Sequence, residues 1–224
     1  MILPAKIPYD STGDNVIVIS YPPGGLGNFV YYLLTEFAND TIKIDNSQFT
    51  FEPSGRSHRS KKYTNLYFHR PENYQPLIWS SCYDQVLEGK RILVLCDNEL
   101  YDEYSELRTV FPKATVVRIV IDPEIHYIIH AMLHTKNHLS HNLNIEELQN
   151  QTFPDMQGKF DPIDQDRIVN FSLREMMLDC NATVCALIKK LNMQVIDTIR
   201  LESVVSEWYQ LHNRYFIKLR KNAV

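Results

Sequence analysis

Residues 15–39 read NVIVISYPPGGLGNFVYYLLTEFAN, and the fold turns on this stretch. Asn15 to Tyr21 is a short β-branched run, the composition of a strand buried on both faces. It empties into Pro22-Pro23-Gly24-Gly25-Leu26-Gly27. Asn28 to Asn39 follows as a helix with apolar residues on nearly every face. Such a helix is covered on both sides, as when it packs between a sheet and other helices. Strand, glycine-rich turn and helix in immediate succession also make a seat for an anion. Glycines let successive N–H groups converge on one point, and the helix N-terminus adds partial positive charge. The loop lacks the Gly-Lys-Ser/Thr ending of a Walker A sequence and the GxGxxG spacing of a dinucleotide fingerprint, so both of those readings fall.

Further strands are expected at Leu66 to His69, Arg91 to Cys96, Thr115 to Ile121 and Met193 to Arg200. Helical spacing runs from Glu99 to Phe111, with Pro112 as the stop. Asp122-Pro123 opens a helix to about Asn137 by N-cap and proline preference. Ser172 to Asn192 is a helix whose Ser172 and Glu175 form a capping box, and Glu202 to Lys221 is the terminal helix. Asn142 to Ile168 is polar, carries Pro154, Gly158 and Pro162, and reads as an irregular connection or lid. Alternating strands and helices imply an α/β domain of three layers with a mainly parallel sheet, spanning residues 1–224 as one unit.

Composition narrows the partners. Acidic residues number 27 and basic ones 23, a net charge of −4 that gives no electrostatic case for nucleic acid. Apolar residues make up 44%, enough for a core without disulfides or structural metals. No stretch approaches the roughly 18 apolar residues of a bilayer span, and the opening residues lack a signal-peptide profile. Cys82, Cys96, Cys180 and Cys185 form no framework and point to a reducing compartment. The sequons at Asn39, Asn150, Asn170 and Asn181 read as chance, and a cytoplasmic location is expected.

Two stretches together resemble the sulfotransferase family. One is Tyr21-Pro22-Pro23-Gly24-Gly25 after the first strand; the other is Phe111-Pro112-Lys113-Ala114-Thr115-Val116-Val117-Arg118-Ile119-Val120-Ile121-Asp122-Pro123 before a helix. The resemblance extends to Ile199-Arg200-Leu201-Glu202-Ser203-Val204, similar to the family's late Tyr-Glu-Asp-Leu strand end. It implies a P-loop-like, sulfotransferase-like fold and 3′-phosphoadenosine-5′-phosphosulfate as sulfuryl donor, passed to a small-molecule or glycan acceptor. Gly24, Gly25, Gly27 and Asn28 would then hold the donor's 5′ end. The chain departs from the family pattern at four positions. Pro23 stands where a lysine is usual, Gly27 where a hydroxyl is, Ile121 where an arginine is and Ile129 where a serine is. Arg118, Arg70 or Lys61 would be the cation that holds the donor instead. His69, in Tyr67-Phe68-His69-Arg70-Pro71, is similar to the family's histidine base, and a neutral imidazole suits that role.

His126, His130, His134 and His138 recur every four residues, but each step drifts about 40° around a helix, so the four do not converge on one ion and no metal is expected. Arg56, Arg59, Lys61 and Lys62 form a local basic loop suited to an anionic ligand. Gly24 to Phe29 is also similar to the start of fucosyltransferases that use a nucleotide sugar, without a later His-x-Arg-Arg-x-Asp motif. A non-enzymatic protein that keeps the fold and binds a ligand in its cleft is the remaining alternative.

Overall fold

Four parallel strands and the helices on one of their faces make up the described part of the computed structural model, which covers residues 14–21, 26–43, 89–97, 112–120 and 165–208. Strand β1 is Val16–Tyr21, β2 is Ile92–Asp97, β3 is Thr115–Val120 and β4 is Ile168–Ser172. Their order is β2-β1-β3-β4. β1 pairs with β2 from Val16 opposite Ile92 to Tyr21 opposite Asp97, and with β3 from Ile17 opposite Thr115 to Ser20 opposite Arg118. Having a strand on each side and cover on both faces, β1 buries every residue, as its β-branched run requires.

Side chains alternate between the two faces of a strand. Ile17, Ile19 and Tyr21 of β1 share the first face with Leu93, Leu95, Val117, Ile119 and Phe171, and these meet the helices in one apolar core. Helix α1, Gly27–Phe37, buries nine of its eleven residues there, which bears out the reading of a helix covered on more than one side. Val16, Val18, Val94 and Val116 belong to the second face and are equally buried. The helices expected at 99–111 and 122–137 lie outside the described residues, as does the strand at 66–69.

The chain after residue 165 departs from expectation in three ways. Gln165–Arg167 is a 3-10 turn and Ile168 begins β4, so the irregular connection expected through Ile168 ends in ordered structure. The single helix expected from Ser172 to Asn192 is two: α2, Leu173–Leu178, and α3, Cys180–Lys190. Ser172 Oγ does accept from the Glu175 N–H (3.2 Å), but Asp179 ends α2 and caps α3 through Ala182 N–H (3.0 Å). Asn192 closes α3 in a left-handed conformation, with Met193 N–H bonded to Ile188 O and Asn192 N–H to Lys189 O, the double bond of a Schellman end.

Met193 to Arg200 is not a strand. What remains of that expectation is one antiparallel bridge, Ala38 to Val195. Asp197 Oδ1 accepts from Arg200 N–H (2.9 Å) and starts α4, a helix over 198–208, four residues earlier than the expected Glu202. Ile199 to Val204, assigned by resemblance to a strand end, lies inside this helix. α4 runs antiparallel to α1. Arg200 pairs with buried Glu36 (2.5 Å) and lies over the Phe37 ring at the C-terminal end of α1, while Trp208 stacks on Phe29 (4.7 Å between centroids) near its N-terminal end.

Candidate functional site

The strand order places the site. From β1 the chain moves outward through α1 to β2 on one side; from β3 it moves to β4 on the other. The carboxyl ends of the adjacent strands β1 and β3 are therefore where the winding reverses, the position at which open α/β sheets take ligands. The glycine-rich loop leaves β1 at this point, and α1 begins there.

Gly24 and Gly25 lie outside the described residues; Leu26 to Asn28 are within them. The turn into the helix is made by Leu26, whose φ of 58° and ψ of 22° put a non-glycine residue in the left-handed region. That conformation costs roughly 1–2 kcal/mol, and burial of the Leu26 side chain in the core offsets it. Leu26 O accepts from both Phe29 N–H (2.9 Å) and Val30 N–H (3.0 Å). The N-cap residue Leu26 makes no side-chain capping bond, and no acidic residue sits in the first turn of α1, where the dipole is positive.

Gly27 has a second reason to be glycine. A Cβ at that position would meet the Tyr21 ring at 2.1–2.5 Å. The last side chain of β1 thus lies against the first residue of α1 on the core side, which sets how closely helix and strand approach. From the sequence, Gly27 was assigned only to the anion, and neither the Tyr21 ring nor Leu26 was given a part in the turn.

Arg118 is half-buried on the second face, opposite Ser20 of β1 and Asn170 of β4. Its Nε donates to Asn170 Oδ1 at 2.8 Å. Ser20 is fully buried, whereas Asn170 is exposed and Val120, on the same face one pleat further, is 42% exposed. The second face is therefore closed over β1 and open at the carboxyl ends of β3 and β4. Gly27, Asn28 and Arg118 thus all lie towards the carboxyl ends of β1 and β3. His69, Arg70, the basic loop at 56–62 and the histidines at 126–138 lie outside the described residues. Among the described residues no helix is long and apolar enough to cross a membrane.

No protein-family model matches this chain, and no curated protein does. Solved structures do. A mouse sulfotransferase, SULT7A1, complexed with PAP superposes with a TM-score of 0.51 at 9% identity, over 89% of this chain and 66% of that one. The chain thus spans just under two thirds of that enzyme's length. A sulfotransferase from Alicyclobacillus acidocaldarius gives 0.46 at 12% identity, over 92% of this chain and 94% of that one. Retinol dehydratase in complex with androsterone and inactive cofactor PAP gives 0.38 at 9% identity, over 90% and 64%. With β1 and α1 at the reversal point of a parallel sheet, and this superposition on the mouse enzyme, the chain has the sulfotransferase fold.

Proposed function

We propose that the protein is a sulfotransferase, moving a sulfuryl group from 3′-phosphoadenosine-5′-phosphosulfate to a hydroxyl or amine of a small-molecule or glycan acceptor. The observation that carries this reading is the opening of α1 at the reversal point of the sheet, in a fold shared with an enzyme crystallised with PAP. Backbone amides of Gly24, Gly25, Gly27 and Asn28 hold the 5′ end of the donor, and Arg118 and Arg70 supply positive charge. His69 takes the acceptor's proton as the acceptor atom bonds to sulfur and the bond from sulfur to the donor's phosphate oxygen breaks. Such transfer depends on positioning and charge stabilisation. The free thiols of Cys180 and Cys185 accord with work in a reducing cytoplasm.

Calorimetry with 3′-phosphoadenosine-5′-phosphate tests the reading, with saturable heat expected. No heat at ligand concentrations on the order of millimolar, where binding of about 4 kcal/mol would register, removes it. A second reading is favoured by Pro23 and Ile121, which stand where the family places cations. On that reading the fold binds the nucleotide without transferring the group, and binding without turnover of the phosphosulfate across an acceptor panel would select it.

A further inference from the structure

The turn joining α3 to α4 carries apolar side chains outward. Ile196, just before the Asp197 cap of α4, is 54% exposed, and Ile199 in the first turn of that helix is 81% exposed. Leu201 and Val205 bury the inward side of α4, so the two isoleucines stand outside the core. Lys189 and Lys190 end α3 on the other side of the turn, and both are exposed. Backbone bonds locate this turn. Ile196 N–H donates to Phe37 O at the end of α1 (3.0 Å), and the Arg91 side chain, just before β2, donates to Leu191 O. The turn therefore lies at the amino ends of the strands, opposite the edge that carries the candidate site. Lys43 and Lys90 flank the bridge from Thr41 to Arg91 at the same end. Two carboxylates there, Asp40 and Asp197, are engaged, one by Asn39 Nδ2 (2.6 Å) and the other by Arg200 N–H (2.9 Å).

We propose that this turn is a peripheral docking surface for an anionic lipid bilayer: Ile196 and Ile199 enter the boundary between headgroups and acyl chains, while Lys189 and Lys190 meet the anionic headgroups. Apolar side chains gain by leaving water for that boundary, and each lysine close to an anionic surface strengthens binding about fivefold. Two isoleucines on a turn fall far short of the roughly 800 Å² that each partner gives to a stable protein interface. A fluid bilayer closes around a small protrusion and needs no such area. The inference does not depend on the sulfotransferase reading. Docking by this end leaves the carboxyl ends of the strands facing away from the bilayer, open to ligand.

The test is flotation of the full chain with vesicles of phosphatidylcholine alone and of phosphatidylcholine with about 30% phosphatidylserine, with melting temperatures alongside. The wild type should float with the mixed vesicles and stay behind with the neutral ones. Raising the salt from about 0.1 M to about 0.5 M should release it. Lys189→Glu with Lys190→Glu should weaken the partition about tenfold or more. Ile196→Ser with Ile199→Ser should weaken it about tenfold at an unchanged melting temperature, since neither side chain belongs to the core. Ile199→Trp should bind as well as the wild type and gain a fluorescence that brominated acyl chains quench. No flotation of the wild type, equal flotation with neutral vesicles, or undiminished flotation of the isoleucine variant each overturns the proposal. A concentration-dependent dimer that the isoleucine variant abolishes, without flotation, overturns it in favour of a contact between copies of this chain.

Discussion

A methyl group added at Gly27 would fall 2.1–2.5 Å from three atoms of the Tyr21 ring. Tyr21 is 6% exposed and packed among core residues, so the ring has no open space to swing into. Gly27→Ala should therefore cost about 1–3 kcal/mol of stability, the usual cost of overpacking, read as a fall in the urea midpoint at unchanged slope. Combining it with Tyr21→Leu should cost less than the sum of the two single changes, because the clash is lost with the ring. A purely ligand-binding glycine would leave the midpoint where it was. Leu26 beside it shows the same economy of space. Three glycines stand close by, yet a leucine takes the left-handed position, because its side chain also fills the core.

Cys180 opens α3 as a small buried hydrophobe, and its thiol is pushed up from 9.0 to about 12, chiefly by burial and then by the neighbouring charges of Asp179 and Cys185. The folded protein therefore holds this proton to higher pH than the unfolded chain does. The stability tied to it is complete below pH 9 and is lost as pH climbs towards 12. Cys180→Ala should be less stable than the wild type at neutral pH, with the gap narrowing above pH 9, as followed by urea unfolding across that range. Half-exposed Cys185, raised for the same first reason, should react with a thiol reagent ahead of Cys180. At this scale the chain was legible where the signal is local. β1, α1, β2 and β3 follow from β-branched runs and from a helix apolar all round. Met193 to Arg200 misled because Val195, Ile196 and Ile199 have strand propensity, while the Asp197 cap and the docking of α4 decide the outcome. β4 was missed because Asn170 and Ser172 break its apolar run; their uses, one holding Arg118 and the other capping α2, are visible only once the strands are paired. A contact between residues 52 apart leaves no periodic trace in sequence.

Across the molecule, α4 ties the far end of the described chain to α1. Arg200 pairs with Glu36, a carboxylate only 5% exposed, and lies 5.8 Å from the Phe37 ring centroid. Arg200→Ala would leave that charge buried and should cost about 2 kcal/mol, discounted from the fully buried case because the Arg200 side chain is itself 56% exposed. Glu36→Gln should cost less, and a double-mutant cycle on melting temperature should show coupling between the two sites. Additive effects would mean that the stack of Trp208 on Phe29, not the ion pair, holds α4 in place. The strand order has one more consequence, which concerns synthesis. β1 leaves the ribosome first but is the strand that needs neighbours on both sides, and its partners β2 and β3 begin at residues 92 and 115. At ordinary translation speeds the nascent chain carries an unpaired, largely apolar segment for roughly 5–20 s, the interval in which that segment is open to aggregation.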